Sequence, residues 1–182
     1  MTQPRVEPGT LRQLGPFNWA FSRLAARVMG VSDMHIFSTL GRTGGLFRGW
    51  LYYSARLMPF GTLSRRDTEM VIIRVAHLRQ CEYELAHHLR LGSRAGIDAA
   101  TAAAIMAPAP GEPHAGPRLT ARERTILAAV DELVTRRDIA DPTWSRLSQT
   151  LRPRQLIGLV MLVGQYDSLA TTITTLRIQA DR

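Results

Sequence analysis

The chain has 182 residues, 45% apolar and 21% charged, which suits one compact domain with a sizeable core and excludes a disordered chain. All 23 basic residues are arginines, set against 15 acidic ones for a formal charge of +8. They are dispersed, often in pairs such as Arg65-Arg66 and Arg136-Arg137, and form no basic stripe with interleaved aromatics, so a small anionic molecule is expected as partner and a nucleic acid is not.

Residues 1 to 15 carry Pro4, Pro8, Gly9 and Gly15 and read as an extended arm; no signal peptide follows Met1. Phe17, Ala20, Phe21, Leu24, Ala25 and Val28 recur at helical spacing and predict a helix to Met29, stopped by Gly30. Ser32 fits an N-cap, with Asp33 in the first turn, for a short helix through Leu40. After a break at 41–45, a helix is expected from Leu46 to Met58. Ser64 with Asp67 nearly matches a capping box and opens a helix whose stripe is Val71, Ile72, Val75, Ala76 and Leu78. Further helices are expected over 82–94 and from Asp98 to before Pro108. Residues 107–117, with four prolines and two glycines, form an internal loop within a single domain spanning 1–182. Thr120 with Glu123 starts another helix, Asp141-Pro142 caps the next, and a last helix runs from Pro153 to about Gln179. Its apolar run, 156–163, is far shorter than the roughly 20 residues a bilayer crossing needs, so no membrane is expected. No segment sustains alternation, and the expected fold class is all-α. A single cysteine excludes an intramolecular disulfide and fits a reducing compartment, so the expected location is cytoplasmic.

That cysteine, Cys81, stands in the one segment that concentrates chemistry. His77 and Cys81 are four residues apart, as are Glu84 and His88. On an unbroken helix all four fall within a sector of roughly 60° and form a possible zinc set. Structural zinc sites usually carry more cysteines and no HExxH pattern is present, so no metal is expected. If a helix instead begins near Cys81, its N-terminal partial charge favours a thiolate. His88, two turns on, then carries protons, with Glu84 orienting it or serving as base and Glu69 closing the site from the preceding helix. The plainer alternative is a buried cysteine and a helix-surface Glu84–His88 pair.

The segment from about Leu63 to Ile97 resembles the carboxymuconolactone decarboxylase / AhpD-like family: Leu63-Ser-Arg-Arg-Asp-Thr-Glu69, Cys81-Glu-Tyr-Glu84, His88, then Ala95-Gly96-Ile97. Leu119-Thr-Ala-Arg-Glu-Arg, Ile139-Ala-Asp-Pro-Thr-Trp144, Leu162-Val-Gly-Gln-Tyr166-Asp and Leu46-Phe-Arg-Gly-Trp50 extend the likeness to most of residues 35–175. The resemblance implies a helical fold with a two-helix core hairpin around the motif, and a homo-oligomer, trimer or hexamer, with sites near subunit contacts. It also implies two chemistries. Glu69, Cys81 and His88 match the peroxidase branch, but Glu84 replaces the resolving cysteine, so an external thiol reductant is required. Glu84 and His88 match the Glu-x-x-x-His element of the decarboxylase branch, whose acid–base chemistry needs no cofactor. Arg74 is the nearest arginine to bind a substrate carboxylate, with Tyr83 and His77 as further substrate contacts. Arg79-Gln80 replaces the small residue or glycine that usually precedes the cysteine, which leaves the helix break open.

The leading expectation is therefore a cofactor-independent lyase acting on a small anionic organic molecule, with His88, Glu84, Cys81 and Glu69 as catalytic set. A one-cysteine peroxidase or redox protein is the alternative, and an inactive oligomeric binding protein the third.

Overall fold

The structure is a computed structural model that describes residues 3–181; Met1, where the chain was expected to lack a signal peptide, lies outside them together with Thr2 and Arg182. The described residues contain helices and no strand. In order these are α1 (Leu11–Met29), α2 (His35–Leu40), a 3-10 turn (Gly41–Thr43), α3 (Gly45–Leu57), α4 (Arg65–Leu78), α5 (Glu82–Arg94), α6 (Ala99–Met106), α7 (Ala121–Arg136), α8 (Asp141–Ser148) and α9 (Pro153–Leu176). The chain divides into two compact units, one of residues up to Arg56 with those from Thr172 onward, the other from Leu57 to Thr171.

In the first unit the arm is shorter than expected. Helix begins at Leu11, where Gln13 Oε1 accepts from the Thr10 amide at 3.0 Å. Gly15, at φ 73° and ψ 167°, breaks that turn, and Pro16 restarts the helix with its φ already set. Gly30 ends α1 in the left-handed conformation. Ser32 does not cap α2; the cap position is Met34, and Asp33 instead accepts from Ser38 Oγ at 2.9 Å. Phe21, Phe37, Phe47 and Trp50 form an aromatic cluster with centroids 5.4 to 6.1 Å apart.

The second unit is built around α4, which is buried from Asp67 through Ala76. Helices α5, α6 and α7 pack against it. Ser64 caps α4 by accepting from the Asp67 amide, and Thr120 with Glu123 makes the expected capping box on α7. Gly92 lets α5 lie close to α4, since a Cβ there would stand 3.0 Å from Ile73 Cδ1. The 107–117 loop belongs to this unit.

Helix α9 has 24 residues and is long and apolar enough, by length and composition alone, to cross a membrane. The 156–163 run understated it, because uncharged residues continue to Leu176 with Asp167 as the one charge after Arg154. Leu156, Leu159, Leu162, Val163, Tyr166, Leu169 and Ala170 are buried at three- and four-residue intervals, the pattern of a core helix.

Candidate functional site

The turn between α4 and α5 decides the geometry. Helix α4 stops at Leu78, and Gln80 takes a left-handed φ of 52°. The Cys81 amide returns to Ala76 O at 2.9 Å, the six-to-one bond of a Schellman-type ending. The helix therefore breaks before Cys81, which becomes the N-cap position of α5. A glycine would take this φ without strain; Gln80 takes it at a cost of roughly 1 kcal/mol. Arg79 helps hold the turn, binding Asp167 and donating to Val134 O at 3.0 Å.

The break removes the single four-residue helix face that zinc would need. Among the described residues no group of three or more His, Cys, Asp or Glu side chains is placed to hold a metal ion.

It does bring Glu69, Glu84 and His88 together. His88 Nδ1 is 2.7 Å from Glu69 Oε2, and Nε2 is 3.3 Å from Glu84 Oε2. Glu69 arrives from α4; Glu84 and His88 share one face of α5, four residues apart. Arg65, one turn before Glu69, places Nη2 2.7 Å from Oε1. The pair lacks hydrogen-bond alignment, so Oε1 stays buried without a donor. The Tyr166 ring from α9 meets the His88 ring edge-on at 5.2 Å and 90°. Its hydroxyl faces Met58 Sδ at 3.7 Å, a weak acceptor.

All of this is interior in the single chain: Glu69 is 0%, Cys81 2%, and Glu84 and His88 4% exposed. Burial alone would lower the His88 pKa. The hydrogen bonds to Glu69 and then Glu84, with their charges, outweigh it and push the pKa up to about 9. His88 is thus an imidazolium at neutral pH. Burial pushes the Cys81 thiol up; the Glu84 and Tyr83 amides at the start of α5 pull against that, and the Glu84 carboxylate adds to it. Burial outweighs those two amides, so the helix start does not deliver a thiolate. Burial raises Tyr166 well above the usual phenol value, with Glu84 and Glu69 adding to it.

Of the substrate-contact candidates, Arg74 is committed to other partners. Arg74 is fully buried and pairs with both oxygens of Asp131, at 2.6 and 2.9 Å. Its remaining donors go to the carbonyls of Ile105, Met106 and Pro108. Every face of that guanidinium is committed to the interior, so the structure places Arg74 in a tie between α4, α7 and the 107–117 loop instead of a substrate clamp. His114, from that loop, joins the tie at 3.1 Å from Asp131 Oδ2. His77 feels the same tie: burial lowers its pKa, Arg74 lowers it further and Asp131 opposes. Tyr83 packs on the His87 ring at 4.8 Å.

Sequence reasoning missed Arg65 and Tyr166 as members of the cluster. Arg65 carries a signal, its four-residue spacing from Glu69 on one helix. Tyr166 carries none, because α9 meets α5 only through the tertiary fold.

A family model described as the carboxymuconolactone decarboxylase family matches residues 45–132. None of the curated proteins compared with the sequence matches it. Among solved structures, an uncharacterised peroxidase-related protein from Ralstonia eutropha JMP134, an alkylhydroperoxidase AhpD core, is similar at TM-score 0.83 and 14% identity, over 99% of this chain and 93% of that one. A peroxidase-related protein from Silicibacter sp. TM1040 is similar at TM-score 0.77 and 14% identity, over 100% and 95%. The debrominase Bmp8 is similar at TM-score 0.78 and 14% identity, over 96% and 91%. A cysteine-to-alanine variant of Bmp8 in complex with 2,3,4-tribromopyrrole is similar at TM-score 0.77 and 13% identity, over 96% and 90%. These likenesses establish an all-α, AhpD-like fold.

Proposed function

Residues 45–132 belong to the carboxymuconolactone decarboxylase family, and from that premise we propose that this chain is a cofactor-independent enzyme that decarboxylates, or moves a proton on, a small anionic organic substrate. His88 is the proton carrier. The observation that supports this best is one imidazole held between two buried carboxylates, Glu69 at 2.7 Å and Glu84 at 3.3 Å. An imidazolium in that setting is an acid ready to give its proton to a carbon that has just lost carbon dioxide. Carbon dioxide leaves, its bonding electron pair stays on the substrate carbon, the His88 proton goes to that carbon, and solvent returns a proton to the ring. Glu69 fixes the ring through Nδ1 and stabilises its positive charge. Glu84, on the looser contact, is the partner on the side where the proton leaves. Arg65 is 40% exposed beside fully buried Glu69, so it is the cation that meets the substrate carboxylate. Cys81 lines the site as a neutral thiol. We place the reaction in the cytoplasm, where an unpaired cysteine stays reduced.

The test is carbon dioxide release and deuterium incorporation from heavy water, on a panel of carboxylated lactones. His88→Gln should lose about 10²- to 10⁴-fold in turnover while keeping the helical circular-dichroism spectrum. Full turnover in that variant would sink the assignment.

A second reading, a one-cysteine peroxidase using an external thiol, draws on the position of Cys81 at the start of α5. The raised thiol pKa weighs against it. Alkylation rate against pH decides: half-maximal reactivity below the free-thiol value of about 8.5 favours the peroxidase, and above it the acid–base enzyme.

A further inference from the structure

Many arginines of the second unit are paired with its carboxylates: Arg66 with Glu123, Arg122 with Asp67, and Arg79 and Arg137 with Asp167. Arg152 and Arg154 are different. Among the described residues neither guanidinium has an ion pair or a hydrogen bond. Both line a hollow of about 420 Å³ together with Gly61, Thr62 and Gln155, and all five residues belong to the one unit. The two segments that meet there are free of acid: residues 34–66 and 142–166 hold no aspartate or glutamate. Their backbones approach closely. A Cβ on Gly158 would stand 2.1 Å from Thr62 Oγ1, so glycine at that position lets the turn at 61–62 lie against the start of α9. Arg154, four residues before Gly158, shares that face of the helix. Thr62 Oγ1 is buried there with no hydrogen-bond partner. Gln155 Oε1 accepts from the Arg152 amide at 3.0 Å, which leaves its Nε2 as a further donor. Buried polar groups are normally paired. An unpaired hydroxyl beside two unpaired guanidinium groups is a donor set that lacks its acceptor.

We propose that this hollow binds the phosphate group of a small phosphate monoester, with Arg152 and Arg154 donating to its terminal oxygens and the Thr62 hydroxyl turning from Gly158 to donate to another. A carboxylate has two oxygens and one charge, and a single guanidinium satisfies it in bidentate fashion. A monoester phosphate carries three terminal oxygens and a charge of about −1.5 to −2 near neutral pH, which matches two arginines and a hydroxyl. None of the lining residues is aromatic, so nothing there stacks on a nucleobase as a single-strand binder requires. The volume falls within the roughly 300–1,000 Å³ of small-molecule sites and leaves space for the organic part of the ester. The site stands whether or not His88 carries the reaction proposed above.

Isothermal titration calorimetry of the full chain at one fixed ionic strength tests it, with glycerol 3-phosphate, inorganic phosphate, succinate and glycerol as probes. Both phosphates should bind at a single site, succinate at least about tenfold more weakly, and glycerol not at all. Arg152→Gln with Arg154→Gln should weaken glycerol 3-phosphate binding by at least about tenfold. Thr62→Val removes a hydroxyl that bonds to nothing within the chain, so it should weaken binding by about threefold without lowering the thermal midpoint. Arg12→Gln with Arg94→Gln removes the same charge from elsewhere on the surface and should leave binding unchanged. If the Arg152 and Arg154 double variant fails to fold, amide chemical shifts of the wild type decide: glycerol 3-phosphate should move residues 61–62 and 152–155. No phosphate binding, succinate binding as tightly, or full affinity in the double variant or in Thr62→Val would each overturn the proposal. So would an equal loss in the Arg12 and Arg94 control, or amide shifts confined to other residues.

Discussion

The two compact units use apolar residues in opposite ways. From Leu57 to Thr171, α4 is buried from Asp67 through Ala76, and α5, α6 and α7 pack against it. In the other unit α1 hides Asn18 and Ser22 and displays Phe17, Leu24 and Val28. Charge divides the same way, with 14 arginines against 12 acidic residues in the first case and nine against three in the second. The lesson is that periodicity reports which face of a helix is apolar, not what covers it. Where the chain covers that face itself, stripe and core coincide; in α1 much of the stripe is left facing solvent.

The sharpest way to break this contrast is to attack the interior of the α4 unit. Arg74→Ala removes a buried cation and leaves Asp131 charged and three carbonyls without their donor. Urea denaturation should show a loss of about 3–5 kcal/mol. A loss under about 1 kcal/mol would mean that the tie is not a structural keystone.

The next effect is pH. The His88 pKa is raised from 6.5 to about 9 in the folded protein. A raised base stabilises fully below its unfolded value of 6.5, and that contribution fades as pH climbs through about 9. Stability should therefore fall between pH 6 and 10, by an amount on the order of 3 kcal/mol. Single-tryptophan variants locate the loss: Trp144 reports the α4 unit and Trp50 the other. A transition at Trp50 that moves as far as that at Trp144 would mean that the two units melt together. In acid the sign reverses for Asp131: burial raises its pKa, but the hydrogen bonds from His114 and Arg74, with their charges, together bring it below the usual value. Its contribution is present above the usual carboxylate pKa of about 4 and disappears as pH falls through the lowered value.

Smaller substitutions sharpen the contrast. Ser22→Ala removes a buried hydroxyl that has no partner, so it should stabilise by about 1 kcal/mol, read as a higher denaturation midpoint. Gln80→Gly relieves the left-handed backbone at φ 52° but loosens the unfolded chain, for a net gain of about 0.5 kcal/mol. A loss there would mean that the Gln80 side chain contributes something the backbone does not reveal.

What the sequence disclosed was what is local. Ser64 with Asp67 and Thr120 with Glu123 cap their helices within four residues, and both were legible. The start of α8 was misplaced by one residue because its true cap is remote: Glu132, on α7, accepts from the Ala140 amide and from Thr143 Oγ1, both at 2.8 Å. Ser32 looked like a cap, but Asp33 was drawn to Ser38 and the helix opened later. The same divide runs through the site. Glu84 and His88 sit four residues apart on one helix, and Glu69 stands on the helix just before it. Tyr166 is 78 positions from His88 and could not be seen.

The two contacts of His88 are unequal, 2.7 Å to Glu69 and 3.3 Å to Glu84. Under the proposed chemistry the ring therefore has a hinge side and a latch side. On that reading Glu84 covers the ring nitrogen from which the proton departs, so turnover begins when its carboxylate gives way to the reacting carbon.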